Sequence, residues 1–314
     1  MRIEYHRTLI ADGVRVRALH DALKATIVPG RSIVSDIGAG TGLIGVMAEK
    51  LGAKEVHLYE AAEVAAVARK VLSANRTRRC RLYECRSTEF DDPPRADIVV
   101  SETLGNYALE EGIGEIMADA RRRHLKPGGA LIPSRITQFV APVVASRVDS
   151  ELRAWDRAAK GLDVGVDLSP ARALTLNNIY VRTIAPQDLF DGMKSASMWD
   201  QVELGKDRGS TRKGEASWTL RRPTTVYGFA LWWAADLAGV SLSTAPDAPP
   251  THWEQLYLPL LDPIRATGGQ RVLFSVRSRT SRESGTTIAW TVTHDADGAI
   301  LSRQGLDLKQ GYLP

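Results

Sequence analysis

Two glutamates nine positions apart, Glu102 and Glu111, are the side chains best placed to do chemistry in this chain. They bracket Ser101-Glu102-Thr-Leu-Gly-Asn-Tyr-Ala-Leu-Glu110-Glu111, directly after an apolar run, Asp97 to Ser101, that reads as a buried strand. Carboxylates converging from the two ends of such a loop suit a planar cation, above all a guanidinium, which meets a carboxylate in a two-pronged fork. The plainer alternative places Glu110 and Glu111 at a helix N-terminus, where acids are favoured. Spacing alone leans toward that alternative.

The second constellation is Asp36-Ile-Gly38-Ala-Gly40-Thr-Gly42. It follows an apolar strand and leads into Leu43 to Leu51, which has helical periodicity. A strand, a glycine turn and a helix N-terminus let a ligand approach the backbone with no Cβ in the way. Gly40-Thr-Gly42-Leu-Ile-Gly45 also fits the dinucleotide pattern GxGxxG, a weak signal by itself. Glu60 closes the next strand, Glu55 to Glu60, and a carboxylate there can accept from both vicinal hydroxyls of a ribose. An acid at that place equally serves nicotinamide-dinucleotide enzymes. In open α/β sheets ligands bind beyond the carboxyl ends of the strands, so Glu102 is expected to face the same cleft as the glycine turn.

The elements that must position these residues follow from periodicity. Residues 8 to 24 read as one helix ahead of the first strand. Ala61 to Asn75 and Glu110 to Leu125 read as further helices, with strands at Arg81 to Cys85, Asp97 to Ser101 and Ala130 to Ile132. This alternation predicts a parallel sheet covered on both faces. After Pro133 the texture changes to short alternating runs, Ile136 to Val140, Val226 to Leu231, Arg271 to Val276 and Thr287 to Val292, which predict an all-β unit. The division is therefore 1–133 and 134–314. Residues 151 to 163 read as helix, and an arm is expected near 151–175. Gly205 to Ala216 and Ser241 to Pro250 read as irregular.

The 314 residues carry a formal net charge of +4 and a pI of about 9.1, a balance that does not single out nucleic acid. Cys80 and Cys85 have neither CxxC nor zinc spacing and read as reduced thiols. The first residues carry no apolar leader and no stretch is long enough to span a bilayer, so a cytoplasmic protein is expected. His20, His57, His124 and His294 read as satisfied structural histidines, and Trp232 and Trp233 as core.

Asp-x-Gly-x-Gly-x-Gly resembles motif I of class I S-adenosylmethionine (SAM) methyltransferases. Ser-Glu-x-x-Gly with a second Glu nine positions after Glu102 resembles the double-glutamate loop of the protein arginine methyltransferases. Pro250-Thr251-His252-Trp253 is similar to that family's Thr-His-Trp loop, Leu125-Lys-Pro-Gly-Gly-Ala-Leu-Ile-Pro133 to its domain junction, and His6, Asp12 and Arg15 to residues of its N-terminal helix. The resemblance covers nearly the whole chain. It implies a Rossmann-like methyltransferase domain followed by a mainly β, barrel-like domain that binds substrate, a SAM cofactor, and a homodimer formed through the arm. It implies that Arg15 pairs with the SAM carboxylate, that Gly38 and Gly40 line the methionine moiety, that Asp36, Gly42 and His6 also belong to the cofactor site, that Glu60 binds the ribose, and that Ser87 and Thr88 meet adenine. Glu102 and Glu111 would clamp the acceptor with Trp253 beside them. Asp12 and His252 would form a charged pair joining the domains and relaying a proton. The chemistry so read calls for no metal.

The sequence departs from the family at Thr88, where a Glu is expected, and in Glu102-Thr-Leu-Gly-Asn, where the family has Glu-Trp-Met-Gly-Tyr. Leu9 and Leu104 replace bulky methionines. Five residues precede His6, where the family carries a longer helix with Tyr-Phe-x-x-Tyr. Three readings stay open: an arginine-containing protein as acceptor, a small guanidine or amine such as free arginine, and a SAM-binding scaffold without catalysis.

Overall fold

Apolar runs that alternate with amphipathic segments build the first half of the chain. The computed structural model describes residues 3–161, 165–206, 210–281 and 285–311. Its first half runs α1 (Ile3–Ala11), α2 (Gly13–Thr26), β1 (Ile33–Ile37), α3 (Leu43–Lys50), β2 (Glu55–Tyr59), α4 (Ala65–Ala74), β3 (Cys80–Tyr83), β4 (Ala96–Val100), α5 (Ile113–Arg123) and β5 (Leu125–Ile132). The five strands form one sheet in the order β3-β2-β1-β4-β5, and every pairing in it is parallel. Strand order reverses at β1, which is flanked by β2 and β4. A crevice therefore opens beyond the carboxyl ends of β1 and β4.

The single helix expected over residues 8 to 24 is two helices. Asp12 has extended backbone (φ −70°, ψ 90°), and its carboxylate accepts the N–H of Arg15 at 3.0 Å as the N-cap of α2. An N-cap residue cannot itself be helical, so the chain breaks there. Helix α2 then buries Arg15, Ala18, Leu19, Ala22 and Leu23, one face at helical spacing. Glu110 to Leu125 is divided likewise: Glu110–Gly112 is a short 3-10 turn and α5 begins at Ile113. Strand β5 begins earlier than expected, at Leu125 beside Ala96, but Lys126-Pro-Gly-Gly bulges out of the ladder and pairing with β4 resumes at Ala130, where the strand was expected. At Gly129 a Cβ would meet the carbonyl of Asp97 at 2.8 Å, which is why a glycine lies where β5 passes β4.

The second half is antiparallel, with β6 (Arg135–Val143), α6 (Ser146–Asp149), α7 (Ala154–Gly161), α8 (Ser169–Leu176), β7 (Tyr180–Arg182), β8 (Ser197–Glu203), β9 (Thr211–Leu220), β10 (Thr224–Leu237), β11 (Val240–Ser243), β12 (Gln255–Ala266), β13 (Gln270–Ser281), β14 (Gly285–Ala296) and β15 (Ala299–Asp307). Two sheets result, β7-β12-β10-β6-β8 with β11 added to β10, and β15-β14-β13-β9. A Rossmann-like layer followed by antiparallel sheets matches the expected class, but the barrel is not closed by backbone pairing among the described strands. Where β15 comes beside β12, the side-chain amide of Gln304 accepts the Asp262 N–H at 3.0 Å and donates to the Asp262 carbonyl at 2.7 Å. Strand β9 occupies much of a stretch expected to be irregular, because its burial alternates from Glu215 onward and its inward side chains pack on the core. Part of that stretch, and the end of the helix expected over 151 to 163, lie outside the described residues.

One continuous core runs from Ala18 in α2 through both halves to Leu306 in β15. A smaller one, with Trp232, Tyr257 and Leu176, fills the other face of the first antiparallel sheet. No helix among the described residues is long and apolar enough to cross a membrane.

Candidate active site

The topology brings the two constellations together. The glycine turn leaves β1, the loop of Glu102 leaves β4, and Glu60 follows β2, all on the carboxyl edge where strand order reverses. Gly38, Gly40 and Gly42 have φ of +72°, +55° and +80°, a left-handed backbone that glycine adopts without penalty. Glu60 is fixed against this turn: one oxygen accepts the Gly40 N–H and the other the Ala62 N–H, each at 2.8 Å. A carboxylate has about four lone-pair sites, so it keeps capacity for two further donors. The His6 ring of α1 lies over Gly40, where a Cβ would stand 3.5 Å from it. Burial moves the His6 imidazole toward its neutral form.

Arg15 is buried and turns its guanidinium to Glu102, with Nε 2.5 Å from Oε2 and a second nitrogen on the same oxygen. A further nitrogen donates to the Leu9 carbonyl at 3.0 Å. Burial raises the Glu102 carboxyl above the usual range, and the Arg15 charge holds that rise back. Asp36 lies beneath the turn, wholly buried, with neither carboxyl oxygen partnered among the described residues. Burial, then the charge of Glu60, pushes it up to about 7.

The two acids at the far end of the loop part company. Glu110 folds inward, and a Cβ on Gly105 would fall on its carboxylate. Glu111 takes a left-handed backbone (φ +59°) and stays open to solvent. Its carboxyl is raised by what burial it has and then by the charge of Glu60. Glu111 thus stands exposed at the end of the loop, whereas Glu110 closes the loop.

The loop is fastened to the antiparallel half from behind. The Tyr107 hydroxyl donates to Ser278 Oγ at 2.8 Å, and its carbonyl accepts Gln138 Nε2 at 2.8 Å. Asn106 Nδ2 donates to the Trp253 carbonyl at 2.5 Å, and Trp253 Nε1 to the Leu104 carbonyl at 2.8 Å. Trp253 is 2 % exposed; it stands behind the loop rather than in the cleft. Next to it, His252 meets Asp12. Asp12 Oδ2 takes both the His252 N–H at 2.9 Å and Nδ1 at 2.8 Å. Burial drives this imidazole toward neutral in spite of Asp12, so the contact is a carboxylate accepting from a neutral ring rather than a doubly charged pair. Nε2 then carries the bare lone pair, buried and without a partner among the described residues.

Ser87 and the half-buried Thr88 form a short 3-10 turn after β3, on the same edge of the sheet. By position in the sequence Tyr5 cannot stand in for the family's N-terminal Tyr-Phe-x-x-Tyr motif. Tyr5 lies in the field of both Glu111 and Glu102, which together with burial raise its phenol. Sequence reasoning passed over the loop's fastenings, which no short motif signals. A glycine cradle, a fixed carboxylate with spare acceptor capacity and a buried guanidinium fit a ligand with a ribose and a carboxylate.

Comparison with known proteins agrees with this geometry. The family model described as "Arginine methyltransferase oligomerization subdomain" matches residues 134–296, and that of "Ribosomal protein L11 methyltransferase (PrmA)" matches residues 18–160. Protein arginine N-methyltransferase 6 of Xenopus tropicalis is 28% identical, aligned over 84% of this chain and 80% of that protein. Probable protein arginine N-methyltransferase 6.1 of Oryza sativa subsp. indica is 27% identical over 90% and 83%. Among solved structures, the Trypanosoma brucei PRMT1 enzyme-prozyme heterotetrameric complex with AdoHcy superposes with a TM-score of 0.85 at 21% identity, covering 98% of each chain. A crystal structure of PRMT6 gives 0.71 at 20% identity over 93% of this chain and all of that one. The first family model alone takes in more than half of the sequence, on a fold and a pair of glutamates that agree with it, and this chain belongs to the protein arginine methyltransferase family.

Proposed function

We propose that this protein is a SAM-dependent methyltransferase acting on a guanidinium nitrogen of arginine in a protein substrate. The observation that carries this reading is the meeting of the glycine turn and the Glu102–Glu111 loop where strand order reverses. Residues 1–133 would hold the cofactor and residues 134–314 the substrate. When bound, SAM supplies a methyl group on a positively charged sulfur. Gly38, Gly40 and Gly42 would leave room for its methionine portion over Asp36, with His6 above; Arg15 would meet its carboxylate, Glu60 its ribose, and Ser87 and Thr88 its adenine.

Glu102 and Glu111 then hold a guanidinium from two sides. A protonated guanidinium is a poor nucleophile, with a pKa above about 12. Fixing it between two carboxylates presents one nitrogen in a set direction, so catalysis is positioning plus electrostatics. The alkylated nitrogen sheds a proton, and Nε2 of the His252 ring, held by Asp12, is the atom left to take it. Trp253 supports this arrangement by holding the Leu104 carbonyl rather than by touching the acceptor.

The oligomerisation description of the matched family supports a homodimer, with the pair α7 and α8 and its half-exposed Trp155 as the proposed arm. Cys80 and Cys85 are both free thiols, and a reducing, cytoplasmic compartment is proposed on that ground.

The test offers labelled SAM with an Arg/Gly-rich peptide in one tube and free L-arginine in another. Label on the peptide is expected. Label on free arginine alone would make this a small-molecule methyltransferase, a reading that the small side chains Thr103 and Asn106 in the loop favour. Glu102→Gln should abolish transfer while S-adenosylhomocysteine binding stays within about threefold. Full activity in that variant would overturn the assignment.

A further inference from the structure

Arg123 and His124, the latter read from sequence only as a satisfied structural histidine, close on the segment after β3. They stand at the end of α5, and both reach the same carbonyl. Arg123 donates from one nitrogen to the Ser87 carbonyl and from another to the Phe90 carbonyl, each at 2.6 Å. His124 Nε2 lies 3.2 Å from the Ser87 carbonyl. A carbonyl can only accept, so Nε2 bears the hydrogen. The unpartnered, buried Nδ1 is then the bare lone pair.

The Arg123 guanidinium is aimed by Asp119, one turn earlier on α5, which receives it at 2.6, 2.9 and 3.1 Å. Capping the helix is not its task. Arg95 already donates to the carbonyls of Arg122 at 3.1 Å and Leu125 at 2.7 Å. The fully buried His124 ring also packs edge-on against Tyr59, with centroids 5.0 Å apart. Tyr59 ends β2 and immediately precedes Glu60, so one imidazole touches both the segment of Ser87 and the strand that leads to Glu60.

We propose that Arg123 and His124 are positioning residues for the nucleoside end of the cofactor pocket, clamping residues 87–90 so that Ser87 and Thr88 stand at a fixed distance from Glu60. This rests on the SAM reading of the site. The clamp touches no ligand and acts through the backbone it holds. Loss of its bonds is felt as weaker nucleoside binding, with the methionine end and the acceptor loop unaffected.

The experiment is calorimetric titration of the full chain with S-adenosylhomocysteine and with adenosine, together with KM and kcat for SAM. Arg123→Met is expected to weaken both ligands by a similar factor, about tenfold for two lost hydrogen bonds from a charged donor. KM for SAM should rise in step while kcat at saturation stays within about twofold. Arg15→Gln is the contrast, weakening S-adenosylhomocysteine but not adenosine. His124→Phe keeps the ring but no donor and should weaken both ligands; His124→Gln, whose amide can donate, should restore most of the loss. If the native protein binds neither ligand, the SAM reading falls and the clamp with it. If it binds both, and Arg123→Met and His124→Phe bind equally well or lose kcat instead, the clamp alone is overturned.

Discussion

Asp36 is a carboxyl group whose charge has little beyond the Gly45 N–H and the Arg15 charge to favour it. It is 0 % exposed, and burial and Glu60 push it from 3.8 to about 7. A raised carboxyl makes the native state the better proton acceptor between those two values, so its contribution to stability is present at low pH and is lost as pH rises through 7. Asp36→Asn removes that dependence. In melts without cofactor, the variant's gain over the native protein should grow between pH 5 and pH 8, up to a ceiling of roughly 4 kcal/mol. An equal difference at both pH values would show that Asp36 is not so perturbed. At this scale sequence was informative where a role lies in chain neighbourhood. The glycine turn, Glu60 and the Glu102 loop could be picked out because strand and turn patterns deliver them to one sheet edge. The inward turn of Glu110 and the field of the glutamates at Tyr5 are products of packing that no local spacing encodes.

The loop from Glu102 to Glu111 belongs to the first half of the chain but is held by the second. Tyr107→Phe would leave Ser278 Oγ, on a residue 2 % exposed, without its donor 171 positions away. The cost should be about 1–3 kcal/mol in a urea titration. If the bond also aims the glutamates, kcat should fall severalfold while S-adenosylhomocysteine affinity holds; an unchanged kcat would reduce the bond to stability alone. Elements themselves were legible where periodicity was long, as in α2, β10 and β13. Sequence missed the break at Asp12 because apolar spacing continues across it, and the cap shows only once Asp12 is seen receiving the Arg15 N–H. It placed the ladder of β5 correctly at Ala130 to Ile132, but did not show that Leu125 already pairs with Ala96 and that Lys126-Pro-Gly-Gly bulges out between the two pairings.

Texture alone separated an α/β half from a β half, yet a single apolar core joins them from Ala18 to Leu306. Calorimetric unfolding is therefore expected to be one transition, with its enthalpy equal to the van't Hoff value. Two resolved transitions would show that the halves are energetically independent. That shared core is invisible to a pass along the chain, because its members pair across hundreds of positions. The open seam at Gln304 was hidden for a related reason: alternation predicts strands but not whether the last one closes a cylinder.

Ala108 and Glu111 both sit in left-handed backbone, with φ of +65° and +59°, and each such non-glycine residue costs about 1 kcal/mol. Selection for folding alone would favour glycine at 111. Glu111→Gly should raise the unfolding free energy in a urea titration by up to about 1 kcal/mol while ending methyl transfer; a drop in stability would mean the carboxylate is also structural. On the proposed role of Glu111, a lineage relieved of the chemistry would drift toward that replacement, and the residue at 111 would mark catalytic descendants apart from those that keep the shape alone.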